Sequence, residues 1–358
     1  GIPKGAMLTH ANVVANTQQV CIWMGETDPK GERILCAIPF FHVFAMTAAM
    51  NLGLASGAEL ILHPRFNLED VLKDLEARKV TLFPAVPTIF GAINNHPKLK
   101  NYDLSSIRFC ISGGAALPLA IKESFEKISG CTLVEGYGLT EASPVITCNP
   151  PDGENKADSI GLPLPWTEIS IRNLQKKNKT LSVGEIGEIA VRGPQVMKGY
   201  WQNQAATDDT FVEGWLLTGD VGHQDEDGYV FLTDRLKDII ICAGYNVYPR
   251  VIEDAFYSHP EVDEVIVIGI KDDYRGEQPK AYVKLKPGAT INKDQLLDYV
   301  SGRLNPVERP KELEFRDSLP KTMIGKLSKK ELVAENNANG ENSMPIQTVQ
   351  PQQKGGQK

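Results

Sequence analysis

Residues 214–250 read GWLLTGDVGHQDEDGYVFLTDRLKDIIICAGYNVYPR. Thr218-Gly219-Asp220 sets an aspartate in a turn, and Asp225-Glu226-Asp227-Gly228 is an acidic hairpin signal. Asp234-Arg235-Leu236-Lys237 is a charged joint before an apolar strand, and Gly244-Tyr245-Asn246 makes a second turn. Upstream the chain reads as large α/β units; from Lys237 onward it reads as a compact module. Polar residues at such a boundary suit a ligand held between two domains, where ligand sites are favoured.

Working toward the N-terminus, short apolar strands are expected at 34–39, 58–62, 80–83, 107–112 and 132–135. They alternate with helical patterns at 11–24, 43–54, 68–79, after Pro87, and at 118–127. That alternation predicts βαβ units around a parallel sheet. His42 sits at a strand end among aromatics in Phe40-Phe41-His42-Val43-Phe44, where a lone histidine is usually a core residue. Gly113-Gly114-Ala115-Ala116 leaves room just past a strand end, the usual opening for a ligand in an open α/β sheet. The run Gly136-Tyr137-Gly138-Leu139-Thr140-Glu141 holds an aromatic ring, glycines, a hydroxyl and a carboxylate. Such a set can stack a base, donate to a phosphate and ligate Mg²⁺. A tight turn with a capping Thr and a first-turn Glu explains it equally well. Lys4, in Gly1-Ile2-Pro3-Lys4-Gly5 ahead of a helix, has the elements of a phosphate cradle. It lacks the P-loop spacing, and a surface turn is the plainer account.

Between Ser159 and Thr233 the pattern changes to short strands with Gly and Pro turns, which predicts a small antiparallel barrel or sheet. The C-terminal module is expected to contain a helix from Pro249, strands at 264–270, 281–285 and 312–316, and a helix at 293–304. Gly325-Lys326 lies in a polar loop before a final short helix, a place where lysine is usually solvated. Residues 335–358, rich in Asn, Gln, Gly and Lys, are expected to be disordered.

The chain has 358 residues, 42% hydrophobic and 23% charged, which is ordinary for a globular protein with a sizeable core. A net charge of −7 argues against a nucleic-acid partner or a general anionic-membrane surface. No apolar run approaches the roughly 20 residues needed to cross a bilayer. Cys21, Cys36, Cys110, Cys131, Cys148 and Cys242 form no CxxC pair and read as reduced buried thiols of a cytosolic protein. The six histidines show no metal-ligand spacing.

Four stretches in fixed order carry a resemblance: Pro3-Lys4-Gly5 with Thr9-His10; Tyr137 to Glu141; Gly214 to Asp220 with Asp234 to Asp238 and Gly244 to Pro249; and Pro320 to Lys326. Together they resemble the AMP-forming acyl-CoA synthetases, the adenylating superfamily shared with firefly luciferases and peptide-synthetase adenylation domains. Residues 30–150 look most like bacterial long-chain fatty acid CoA ligases. The resemblance implies an α/β fold: 1–158 as part of a large AMP-binding domain, 159–236 as its β-rich, barrel-like subdomain, and 237–334 as a small mobile α+β lid. It implies a fatty acid, ATP and coenzyme A as substrates, with Mg²⁺ as cofactor. A cytoplasmic location follows, with peripheral membrane association and oligomerisation left open.

Residue by residue, the resemblance places Gly114, Ala115, Ala116 and Tyr137 around adenine. Thr140 would contact the α-phosphate, Glu141 would bind Mg²⁺, and Asp220 and Arg235 would hold the ribose. Lys4 belongs to the pyrophosphate loop and Lys237 to the hinge. Lys326 corresponds to the lysine that reaches the acyl carboxylate and α-phosphate. His42 and Gly136 would wall the acyl site, and Gly244 would swing toward the thiol in the second step.

Val251 stands where the family usually has Glu, which removes a favourable charge near a helix N-terminus. The family's Ser/Thr/Gly-rich loop normally extends upstream of Pro3-Lys4-Gly5, so the sequence reads as a fragment with apolar surface left uncovered. Competing readings are an aryl or short-chain acid ligase, a peptide-synthetase adenylation domain, and a catalytically dead nucleotide-binding remnant. Truncation predicts poor activity: the purified chain should exchange pyrophosphate into ATP far more slowly than an intact ligase, and exchange at a normal rate would overturn that expectation.

Overall fold

The computed structural model describes residues 4–25, 31–322 and 325–341. The first three residues of the expected phosphate turn and the tail from 342 onward lie outside the described residues. The structure is mixed α/β, with one large sheet and a smaller C-terminal one.

Parallel strands β1 (Arg33–Cys36), β2 (Glu59–Leu62), β3 (Leu82–Ala85), β4 (Phe109–Ser112) and β5 (Thr132–Gly138) form one side of a 12-stranded sheet. Their pairing order is β2-β1-β3-β4-β5. Every residue of β3 and β4 is buried, as expected for parallel strands covered on both faces. Helices α1 (His10–Met24), α2 (Val43–Ala45), α3 (Leu52–Ser56), α4 (Leu68–Ala77), α5 (Pro87–Asn94) and α6 (Leu119–Ser129) accompany them. Edge-to-face rings of Phe83, Phe90 and Phe125 tie β3 to α5 and α6, with centroids 5.5 and 4.9 Å apart.

The helix expected over 43–54 is not continuous. A π-helical turn, Met46–Asn51, separates α2 from α3, and the Thr47 hydroxyl inside it donates to the Ser143 carbonyl at 2.7 Å. The turn expected at Gly136-Tyr137-Gly138 is instead the end of β5, paired with β6 (Val145–Cys148). Glycine permits this: a Cβ at Gly138 would lie 2.0 Å from the Pro144 carbonyl oxygen.

Beyond β6 the sheet continues antiparallel through β7 (Ser159–Pro163), β8 (Glu168–Arg172), β9 (Gly187–Arg192), β10 (Phe211–Val212), β11 (Trp215–Gln224) and β12 (Val230–Arg235). Helix α7 (Gln204–Thr210) precedes β10. Among the described residues the order β6-β7-β12-β11-β9-β8 is an open path, so the barrel-like segment extends the large sheet. The acidic hairpin falls where expected, between β11 and β12, with Gly228 at φ +87°. Its register sets Asp220 opposite Arg235.

A short 3-10 turn, Leu236–Asp238, leads into the second sheet. That sheet comprises β13 (Ile240–Cys242), β14 (Tyr245–Val247), β15 (Val262–Asp272), β16 (Gly276–Leu285) and β17 (Glu312–Phe315), in the order β14-β13-β16-β15 with β17 on β16. Helices α8 (Pro249–Tyr257) and α9 (Lys293–Ser301) cover one face, where Ile252, Phe256, Leu296 and Val300 join the sheet's core. The last helix, α10 (Lys330–Glu341), runs past Glu335 into the stretch expected to be disordered. Leu332 holds it by packing into an apolar cluster with Ile266, Ile268, Tyr282 and Leu319, while Glu335 pairs with Arg316 at 2.5 Å.

All six cysteines are free thiols, five of them buried. Among the described residues no helix is long and apolar enough to cross a membrane.

Helix α1 is fixed to the sheet in part through the buried amide of Asn16. Asn16 donates to the Val145 carbonyl at 2.8 Å and accepts from the Val145 N–H at 2.9 Å, while Thr9 and Asn12 form a capping box at the helix start. Replacing Asn16 by Ala removes both bonds and strands two backbone groups, so Asn16→Ala should lower unfolding free energy by about 2 kcal/mol. Urea denaturation measures this; an unchanged midpoint would remove Asn16 from the anchoring of α1.

Candidate active site

A cavity of about 250 Å³ lies at the carboxyl ends of β1, β4 and β5. Its apolar lining includes Val20, Trp23 and Met24 of α1, with Phe44, Ala48 and Leu164. The indole of Trp23 donates to the Asn149 carbonyl at 3.3 Å, which fixes the ring's plane. Gly113 and Gly136 keep the passage open: a Cβ on Gly113 would meet the Phe44 ring at 3.2 Å, and one on Gly136 would meet Cys148 Sγ at 3.6 Å. Burial pushes the Cys148 thiol up to about 12, so this sulfur is an apolar wall and not a nucleophile.

The cavity also collects most of the residues singled out in the sequence. His42, Gly114, Tyr137, Thr140, Glu141, Arg235 and Lys326 all line it. Asp220, 3% exposed, accepts from the Tyr137 hydroxyl at 2.6 Å and from Arg235 Nε at 2.9 Å. Burial, then the Asp220 charge, raises the Tyr137 phenol well above its ordinary range, so it remains a hydrogen-bond donor. His42 caps α2, its Nδ1 accepting the Phe44 N–H at 3.3 Å. Burial, then the Lys326 charge, lowers its pKa, which favours the neutral ring at physiological pH.

Lys326 enters from the C-terminal sheet on a loop stabilised by its own bonds. The Thr322 N–H donates to the Lys326 carbonyl at 2.8 Å, Lys321 pairs with Glu264 at 2.6 Å, and Lys329 pairs with Glu253 at 3.1 Å. Burial, then repulsion from Arg235, lowers the Lys326 ammonium's pKa, with Asp220 opposing the shift. Two cations therefore line a cavity whose remaining lining is largely apolar. That arrangement suits an anion carrying an apolar tail.

A wider cleft between the two sheets shares Gly114, Tyr137, Arg235 and Lys326 with this cavity and adds Ala115, Ala116, Asp220 and Lys237. Lys4 reaches the site only indirectly. Its ammonium lies 4.1 Å from the centroid of the Tyr200 ring, and the Tyr200 hydroxyl donates to Glu141 at 2.7 Å. Gly244, at φ +83° in the tight β13–β14 turn, lines neither space in this orientation of the C-terminal sheet.

Tyr200 and Trp23 were not legible as site residues. Tyr200 is brought in by backbone pairing of 5–7 with 199–201, including Trp201 N–H to the Gly5 carbonyl at 2.7 Å, and no local pattern encodes such a long-range contact. Trp23 belongs to an apolar helix face that reads as core.

The AMP-binding enzyme family model matches residues 1–201, and that of the AMP-binding enzyme C-terminal domain matches residues 251–326. A long-chain-fatty-acid–CoA ligase of Bacillus subtilis (strain 168) is 47% identical over 339 residues, covering 95% of this chain and 60% of that protein. A feruloyl-CoA synthase of Amycolatopsis sp is 40% identical over 334 residues, covering 93% of this chain and 67% of that protein. The structure of ATP-bound MatB from Rhodopseudomonas palustris superposes with a TM-score of 0.87 at 32% identity, covering 95% of this chain and 66% of that one. The chain thus spans about 60% of the length of the long-chain ligases it matches. The four ordered motifs, the fold and these matches agree: the chain belongs to the AMP-binding enzyme family.

Proposed function

We propose that this chain is the adenylating and lid portion of a long-chain fatty acid CoA ligase, which activates a fatty acid through acyl-AMP and transfers it to coenzyme A. One observation carries the reading: a single cavity is lined both by Lys326, Arg235 and Thr140 and by the apolar side chains of Val20, Trp23 and Met24. A fatty acid laid along it directs its carboxylate at Lys326 and its chain toward α1. Supporting this are the long-chain ligase relatives, while the feruloyl-CoA synthase keeps an aryl acid as the second reading.

Adenylation brings a carboxylate against the α-phosphate of ATP, so two anions must approach. Lys326, the Thr140 hydroxyl and Arg235 would offset the charge that builds in the transition state. Gly114, Ala115, Ala116 and Tyr137 would receive adenine, while Asp220 and Arg235 would exchange part of their mutual pairing for the ribose hydroxyls and orient the nucleotide. Lys4, placed by Tyr200 near Glu141, would face the leaving pyrophosphate. His42, neutral and wedged at the start of α2, would separate the acyl and phosphate spaces.

Mg²⁺ fits this donor set. Among the described residues no three potential ligands converge, and Glu141 supplies one carboxylate beside the phosphate space. Mg²⁺ is commonly held by one or two carboxylates plus substrate phosphates and water. When bound, it would neutralise phosphate charge; Tyr200, which donates to one Glu141 oxygen, leaves the other available.

The domains would divide as 1–158, 159–236 and 237–334. Lys237, exposed in the linking 3-10 turn, would be the pivot about which the last unit turns so that Lys326 withdraws and Gly244 comes to the pantetheine thiol. Cytosolic location and any membrane or oligomer contacts of the whole ligase remain part of the same proposal.

Two measurements test the reading on this chain. Calorimetric titration with nonhydrolysable acyl-adenylate analogues should show palmitoyl binding more tightly than acetyl or benzoyl; a benzoyl preference selects the aryl reading, and no binding of any analogue overturns the assignment. Lys326→Ala should weaken the palmitoyl analogue roughly 10-fold or more, the value of one charge-assisted hydrogen bond. Equal affinity of wild type and variant would take Lys326 out of the site.

A further inference from the structure

The C-terminal unit is held to the rest of the molecule at two polar points, one beside Lys326 and one beside the linker. At the first, the Thr88 hydroxyl, in the opening turn of α5, donates to the Gly325 carbonyl at 3.2 Å. Gly325 immediately precedes Lys326 and sits at φ +82°, so its carbonyl direction and the lysine's exit from the loop are set together.

The second point is Asp234, 6% exposed, at the end of β12. One carboxylate oxygen accepts the Arg235 N–H at 2.7 Å and the other accepts the Arg250 N–H at 2.7 Å. Arg250 returns a bond across the same boundary, Nη1 to the Leu232 carbonyl at 3.0 Å. Leu232 and Asp234 precede the Leu236–Asp238 turn and Arg250 follows it.

Helix α8 explains why this contact matters. Its first turn has four N–H groups without intrahelical acceptors. Its own N-cap position is Tyr248, which makes no side-chain capping bond, and Pro249 removes one donor. The Arg250 N–H is capped by Asp234 instead, an anion supplied by the other unit at the positive end of the helix dipole. Burial pushes the Asp234 carboxyl up, and Lys329 with the two N–H groups draws it back. Turning the C-terminal unit would uncap α8 and leave a nearly buried carboxylate oxygen without its donor.

We propose that Asp234 and Thr88 are positioning residues, which act through α8 and Gly325 to hold the C-terminal unit in the orientation that puts Lys326 into the cavity. The inference rests on the ligase reading for its consequence, acyl-adenylate formation, but the clamp itself is a statement about orientation. It makes the local weakness of α8 the device that distinguishes one orientation from another: the helix is capped only when docked.

Spin labels on Lys98→Cys and Lys293→Cys, both exposed, in a Cys21→Ser background, report the separation of the two units in the full chain. The parent chain should give one dominant distance. Asp234→Ala and Thr88→Val should each lower the ratio of that distance to all others roughly fivefold, and together roughly 25-fold. Asp234→Asn, which keeps one acceptor oxygen for the Arg250 N–H but loses the charge and the second acceptor, should restore part of the Asp234→Ala loss; unchanged circular dichroism excludes general unfolding. A double variant that keeps the parent distance distribution overturns the clamp. Binding of the palmitoyl-adenylate analogue is measured on the same samples: distances that shift in the variants, while the parent chain binds no analogue, uphold the clamp and reject the ligase reading.

Discussion

Asp220 is the point at which the separate parts of this molecule meet. It lies on β11, reaches Tyr137 at the end of the parallel half of the sheet, and pairs with Arg235 across the hairpin register. Arg235 is also the last residue of β12 before the linking turn. A buried carboxylate needs its partners: an ionised group at 3% exposure is tolerated because a phenol and a guanidinium both donate to it. The register of one β-hairpin therefore fixes where Tyr137, Arg235 and the start of the C-terminal unit lie relative to one another. A slip of one residue would turn Asp220 and Arg235 to the opposite face and dismantle all three relations.

The two cations of the cavity follow from that arrangement. Arg235 is anchored by Asp220, whereas Lys326 is carried by a loop whose supports, Glu264 and Glu253, belong to the C-terminal unit. Two positive groups from different units thus confront each other; burial first, and then this repulsion, lower the Lys326 pKa. An anion placed between them converts repulsion into attraction on both sides. Binding and orientation are then linked: whatever anion prefers the docked arrangement must also stabilise it by the same differential free energy.

Much of this was readable from the chain, for reasons that differ by region. Alternating apolar strands and helices from Ile34 to Glu135 specify a parallel sheet because burial on both faces removes polar residues from the strands. The turn signals at Asp225-Gly228 and Gly244 are local chemistry and fell where expected. Tyr137, Thr140, Glu141, Asp220, Arg235 and Lys326, which the ordered motifs single out, are gathered by the structure at one cavity and the cleft that adjoins it. The misses share a cause. Gly136 to Gly138 read as a turn and form a strand, because what decides is the approach of Pro144. The π turn at Met46–Asn51 breaks a helix that local propensity would continue. Residues 335–341 are polar, yet Leu332 and Glu335 dock α10 on the second sheet. In each case a contact distant in sequence overrode a local pattern.

The same distinction separates the two kinds of residue around Lys326. Groups that would touch a substrate stand out through the ordered motifs that carry the family resemblance: Lys326, Thr140 with Glu141, and Arg235. Groups that set the geometry do not. Thr88 is an ordinary residue in an apolar segment, and Asp234 looks like one more charge in a polar joint. Their importance comes from what α8 and the Gly325 loop lack on their own, a local cap in one case and a fixed carbonyl direction in the other. A helix that carried its own Ser or Asp at the N-cap would be equally stable in any orientation of the C-terminal unit. Tyr248 at that position makes the stability of α8 depend on where the unit sits, and so couples the folding of one helix to the placement of one lysine.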